Sequence, residues 1–185
     1  MKPQPISTGL VLLLALGSLL ACGGSGQASL EGGGRLEIRL IDAPVDLSTA
    51  SSLFVTIDGV SVFPGIAEMD GADATPIVVM NHPATFDLLT LTGGASLLLA
   101  SAELPAGFYQ RIRLDIASAR LDFQDGSSEA LQIEARKVDV PIRFEVREGE
   151  TAEVTLDFQA GASVQVNQTA SDRFILRPVV VPMPL

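Results

Sequence analysis

Tryptophan is absent, and cysteine, histidine and tyrosine occur once each in 185 residues. One cysteine excludes an intrachain disulfide framework, and one cysteine with one histidine cannot build a Cys/His zinc site. A histidine-based triad would rest on His82 alone, in the loop-like stretch Asn81-His82-Pro83, and no Gly-x-Ser-x-Gly elbow occurs. Bases are scarce too: 12 Lys+Arg stand against 22 Asp+Glu, a net charge of -10. This excess argues against nucleic acid, whose phosphates are bound by Lys and Arg that displace counterions. Helical periodicity is missing as well, with residues 95–104 the one ambiguous run.

What is present is apolar. Hydrophobic residues make up 47% of the chain, an unusual partner for so acidic a sequence. The surplus concentrates at the start, where residues 1–21 hold 12 apolar side chains and residues 9–20 are almost unbroken. Lys2 precedes that run. A short basic segment before a short apolar one is the pattern of an export signal, and a spanning helix needs about 20 apolar residues.

Leu19-Leu20-Ala21-Cys22 resembles a bacterial lipobox. The resemblance implies diacylglycerol on the Cys22 thiol, cleavage after Ala21 and acylation of the new amino terminus. Each buried acyl CH₂ contributes about 0.8 kcal/mol, so stable anchoring takes more than one chain. The alternatives are a plain signal peptide with an incidental cysteine, or an uncleaved anchor. Residues 23–34 read GGSGQASLEGGG, a composition that buries too little apolar surface to fold. As a flexible coil this tether spans roughly 20 Å. Loss of Lys2 with the signal moves the net charge from -10 to -11. Anionic headgroups repel so acidic a domain, which leaves anchoring to the lipid.

From Arg35 onward the period is two. Leu36, Ile38 and Leu40 alternate with Arg35, Glu37 and Arg39; Ile112, Leu114 and Ile116 alternate with Arg111, Arg113 and Asp115. Ile142, Phe144 and Val146, then Val154, Leu156 and Phe158, repeat the pattern. Strict alternation puts one face in a core and one in water. Asp125-Gly126 reads as a hairpin turn, Glu148-Gly149 as a second turn, and Asp58-Gly59 as a bulge or turn in a longer strand. Pro105-Ala106-Gly107 separates two elements, and residues 65–76 read as an exposed loop. Many short strands at this spacing predict an all-β fold: an antiparallel β-sandwich, Greek-key or prealbumin-like, following an N-terminal lipoprotein signal peptide. The expected organisation is a signal peptide over 1–21, lipidated Cys22 and tether over 22–34, and one sandwich domain over 35–185.

Several segments carry a family resemblance in their order. They are Leu40-Ile41-Asp42-Ala43-Pro44, Val55-Thr56-Ile57-Asp58-Gly59-Val60, Phe86-Asp87-Leu88-Leu89-Thr90-Leu91, Leu104-Pro105-Ala106-Gly107-Phe108-Tyr109 and Leu176-Arg177-Pro178-Val179. Together they resemble the bacterial lipoproteins of the domain of unknown function 4382 family, across most of residues 35–181. The Leu-Pro-Ala-Gly-x-Tyr step is also similar to prealbumin-like accessory sandwiches. The resemblance implies a secreted, lipid-anchored β-domain and supplies no activity.

Candidate sites are few. Phe63 and Tyr109 are the rings expected to be exposed, and Tyr109 shares the face of Arg111, Arg113 and Asp115. Such a groove suits a glycan; the competing reading is a corner tyrosine bonded to backbone. Arg120, Asp122, Glu134, Arg143 and Glu145 extend a charge ladder on a solvated face. Asp70 and Asp73 are weak calcium candidates, because calcium wants 6–8 oxygens and no EF-hand spacing surrounds them. Asp42, Asp58, Asp87, Asp115 and Asp157 are the scattered acids a two-carboxylate hydrolase would draw on. The expectation is an exported protein, lipid-anchored in the cell envelope and in the outer membrane if the cell is Gram-negative. Its noncatalytic sandwich serves binding, adhesion or scaffolding, with a glycan or envelope protein as partner and no cofactor. A carbohydrate-binding accessory domain is the alternative, then a hydrolase.

Overall fold

The computed structural model describes residues 32–42, 49–65, 75–91, 93–167 and 173–184. Residues 1–31, which include the expected signal peptide, Leu19, Leu20, Ala21, Cys22 and most of the expected tether, lie outside them, as do Asp70 and Asp73.

Two long strands, β2 (Ala50–Pro64) and β6 (Gly107–Phe123), pair antiparallel to form the spine of one sheet. Against β2 lie β3 (Ile77–Met80) and β4 (Ala84–Asp87), the latter continuing into a 3₁₀ turn over Leu88–Leu91. Against β6 lie β7 (Ser128–Ala130) and β9 (Lys137–Val146). The second sheet contains β1 (Gly33–Ile41), β5 (Leu97–Pro105), β10 (Thr151–Phe158) and β13 (Val180–Pro182) in the order β13-β10-β1-β5. A third, small sheet joins β8 (Gln132–Ile133), β11 (Val164–Asn167) and β12 (Arg173–Leu176), after the one-turn helix α1 (Ala160–Ser163).

Alternation builds the core as expected. Leu36, Ile38 and Leu40 on β1, Val154, Leu156 and Phe158 on β10, and Ile112 and Leu114 on β6 are fully buried in one cluster shared by the sheets. Truncating such a Leu or Ile to Ala costs about 2–5 kcal/mol, so these faces hold the layers together. The ambiguous run at 95–104 resolves as β5, whose Leu99, Ala100 and Leu104 point inward. At Asp58-Gly59 the pairing of β2 with β6 shifts register between Ile57 and Gly59, so the dipeptide bulges a continuous strand.

Two differences from the sequence reading concern connections. Glu148-Gly149 makes the expected turn, with Gly149 at φ 71°, but β9 and β10 on either side of it belong to different sheets. That crossing delivers β10 to the end of the sandwich where β1 also starts. The two central strands therefore run parallel, Leu36 beside Ala152 and Leu40 beside Leu156, within an otherwise antiparallel sheet. Asp125-Gly126 does form a hairpin, pairing Arg120 with Ala130, and Gly126 takes φ 87°.

The second difference is where the domain begins. Gly33 and Gly34, expected in the tether, are the first residues of β1. The Gly34 position is buried, and a Cβ there would run into the Arg147 carbonyl, sit 2.8 Å from the Glu150 carbonyl and meet Val146 Cγ1 at 2.9 Å. Glycine is needed because two backbones cross here, a requirement that composition cannot distinguish from flexibility.

The opposite end is closed by side chains bonding to backbone. Buried Asp42 accepts the Ala160 N–H at 2.8 Å. Ser163 Oγ donates to the Gln159 carbonyl at 2.8 Å and accepts the Val179 N–H at 2.9 Å. Arg177 pairs bidentately with Glu134 at 2.6 and 2.8 Å, tying the segment after β12 to the one after β8.

Candidate functional site

The charged row predicted on β6 exists, on the outer face of the β2–β6 sheet. Arg111 stands opposite Phe63, Arg113 opposite Ser61, and Asp115 opposite Gly59. On the other flank β9 brings Asp139 opposite Arg113 and Lys137 opposite Asp115. Asp139 is the residue the sequence reading missed. Its signal was the alternation of Lys137 and Asp139 with Val138 and Val140, obscured by Pro141.

Asp139 organises the row. Arg113 donates to it bidentately, Nε at 2.8 Å and a terminal nitrogen at 2.9 Å, and Arg111 Nε lies 3.7 Å away. The Arg113 hydrogen bond, aided by the charges of Arg113, Arg111 and Lys137, holds the Asp139 carboxyl below its ordinary range. The same hydrogen bond raises Arg113. The two guanidiniums in turn cover Phe63: Arg111 Cζ lies 3.8 Å and Arg113 Cζ 4.9 Å from its ring centroid. Phe63 is therefore buried at 4% exposure although it points outward, which corrects the expectation of an exposed ring. A cation over a ring contributes about 0.5–2 kcal/mol, and more of it as water is excluded.

Asp115 lies across the bulge, and a Cβ on Gly59 would come 2.8 Å from its Oδ2. Nearer the other end of the face the motif recurs. Arg120 sits 4.8 Å over the Phe54 ring opposite it and pairs bidentately with Asp122 at 2.8 and 3.1 Å. Thr56 and Thr85 share a 2.8 Å hydroxyl contact between these two clusters. Of the predicted ladder, Arg120 and Asp122 join the face, whereas Glu134 bonds Arg177 and Glu145 bonds Arg147 at 2.8 Å.

Tyr109 is not part of that face. It is 3% exposed, stacks on Phe144 with centroids 5.2 Å apart, and donates its hydroxyl to the Pro105 carbonyl at 2.9 Å. Burial raises its pKa, which keeps the phenol a donor. Of the two readings the sequence left open, this geometry is that of the corner tyrosine. The cause is a register shift between Tyr109 and Arg111, which reverses the inward phase of β6 at its start. The same shift turns Phe108 out to 65% exposure, where simple alternation put it in the core.

The remaining acids do separate structural work. Asp87 Oδ1 accepts the N–H groups of Leu53 at 3.1 Å and Leu89 at 3.2 Å, fixing β4 and its 3₁₀ turn to β2. Asp58 is exposed in the bulge, and His82 is exposed between β3 and β4. Among the described residues, no three His, Cys, Asp or Glu side chains come together as metal ligands. Among the same residues no helix is long and apolar enough to cross a membrane.

The profile of a family described as a domain of unknown function (DUF4382) matches residues 33–178, and the chain belongs to that family. The match begins at Gly33, where β1 begins. No curated protein and no solved structure matches.

Proposed function

We propose that this DUF4382 protein is a lipid-anchored component of the cell envelope whose sandwich acts without catalysis, in binding, adhesion or scaffolding. The observation that carries the reading is Leu19-Leu20-Ala21-Cys22 directly after a short apolar run. That sequence offers a small residue at the cleaved bond and a thiol to carry lipid. Two or three acyl chains hold a protein on a bilayer where one does not.

The charged residues support the noncatalytic half of the reading. A hydrolase of the two-carboxylate kind needs an acid and a base about 5–10 Å apart across a cleft. Here Asp139 and Asp122 are each engaged by arginine, and Asp87 holds backbone N–H groups.

The test is Cys22→Ala in the full chain, expressed in a bacterium fed labelled palmitate. The wild type should carry label and sediment with membranes. The variant should lose the label and remain a precursor that keeps residues 1–21. Label retained by the variant, or absent from the wild type, would overturn the anchor.

A further inference from the structure

We infer that the sandwich stands on the membrane by the end at which β1 enters, with Phe108 seated in the lipid interface. The inference rests on the lipid anchor proposed above and adds the orientation and the contact residue. Three backbone hydrogen bonds define that end. The Gly32 carbonyl accepts the Ala106 N–H at 3.0 Å, the Gly33 carbonyl accepts the Gly149 N–H at 2.9 Å, and the Glu150 carbonyl accepts the Arg35 N–H at 2.9 Å. The chain that leads back to Cys22 thus leaves the domain wedged between the β5–β6 and β9–β10 turns.

Phe108 lies two residues beyond Ala106, on the outward side of β6, and at 65% it is the most exposed large apolar side chain described. Nine residues, Gly23 to Glu31, separate Cys22 from Gly32. The ten Cα-to-Cα steps from Cys22 to Gly32 span at most about 33–36 Å when fully extended. The far end of the domain, where Val181 pairs with Asp157 and Asp157 with Ile41, lies eight strand residues from Gly33. That is roughly 27 Å further along β1. Bringing it to the bilayer would extend the connecting chain well beyond its relaxed span of roughly 20 Å, whereas Phe108 needs no extension. Tethering also raises the effective concentration of the bilayer at this end to the millimolar range or above. A single ring can then partition where it could not hold a free protein.

The charges at this end specify the lipid. Arg35 pairs with Glu103 at 2.8 Å, Arg147 with Glu145 at 2.8 Å and with Glu150 at 3.8 Å, and Glu148 adds a further exposed acid in the same turn. The acid excess disfavours anionic headgroups, so the contact is apolar and made with a neutral, zwitterionic surface.

The absence of tryptophan makes the test clean. Full-length lipidated Phe108→Trp and Val181→Trp variants, each with one tryptophan, are reconstituted on phosphatidylcholine vesicles with brominated acyl chains. Flotation reports anchoring and fluorescence quenching reports contact. Both variants should float, with the tryptophan at position 108 quenched at least twofold more than the one at 181. Replacing a third of the lipid with phosphatidylglycerol should weaken that quenching. Equal or reversed quenching in floated protein overturns the orientation and leaves the anchor standing. Failure of both variants to float, with Cys22 unlipidated, overturns the anchor and this contact with it.

Discussion

Replacing Gly34 with alanine adds one methyl group at a site where sequence composition suggests that nothing depends on the residue. The structure gives the opposite expectation. That methyl would press on the carbonyls of Arg147 and Glu150 and on Val146 Cγ1. Two of these obstacles are backbone, so no rotamer change clears them. Overpacking of this kind costs about 1–3 kcal/mol. Relief by moving the Arg147–Glu150 turn weakens the Arg35-to-Glu150 and Gly149-to-Gly33 hydrogen bonds, each 2.9 Å long. Each contributes about 0.5–1.5 kcal/mol. Against this, alanine lowers the entropy of the unfolded chain by about 0.4–1 kcal/mol. The net loss is about 2–4 kcal/mol, or roughly 4–16 °C in Tm for a domain of this size. Thermal unfolding of wild-type and Gly34→Ala residues 32–185, followed by circular dichroism, measures it. A Gly34→Ala Tm within 1 °C of wild type would refute the close crossing of β1 with the β9–β10 turn.

Three further outcomes follow from the site. Tyr109→Phe keeps the Phe144 stack and loses only the bond to the Pro105 carbonyl, so it should lower stability by about 1 kcal/mol in urea denaturation. A loss near that of Tyr109→Ala would mean that the hydroxyl does more. Phe63→Leu with Arg111→Met, in a double-mutant cycle, should reveal a coupling of about 0.5–1 kcal/mol, and none would dismiss the cation–π contact. For acid stability, Asp139, Asp122 and Glu134 all have folded pKa values below their ordinary ones, held down by Arg113, by Ser128 with Arg120, and by Arg177. A lowered folded pKa gives stability that is complete above the unfolded value near 4 and is lost as pH falls through the folded one. Tm should therefore be level above about pH 5 and fall below about pH 4, less steeply in Asp139→Asn. A Tm rising with acid would contradict the pairing.

Much of the fold was legible because alternation is a local signal. Leu36, Ile38 and Leu40 face the core as their spacing requires, and so do Val154, Leu156 and Phe158. Asp125-Gly126 closes a hairpin because its backbone needs are met within two residues. What escaped the sequence depends on partners far along the chain. Whether Glu148-Gly149 makes a hairpin or a crossing is decided by which sheet β10 joins, and β10 joins β1 more than a hundred residues earlier. The phase of Phe108 and Tyr109 turns on a bulge enforced by β9. The burial of Phe63 is invisible locally because its cover comes from arginines on the neighbouring strand. The proposed lipid attachment at Cys22 rests on adjacent residues alone and lies outside the described structure.

In the proposed function, Cys22 becomes the lipid-bearing first residue of the mature protein. Tandem mass spectrometry of the amino-terminal peptide from membrane-extracted wild type tests it most directly. The predicted spectrum begins at Cys22 with diacylglyceryl on sulfur and an acyl group on nitrogen. A peptide that begins elsewhere, or that carries an unmodified Cys22, would contradict it.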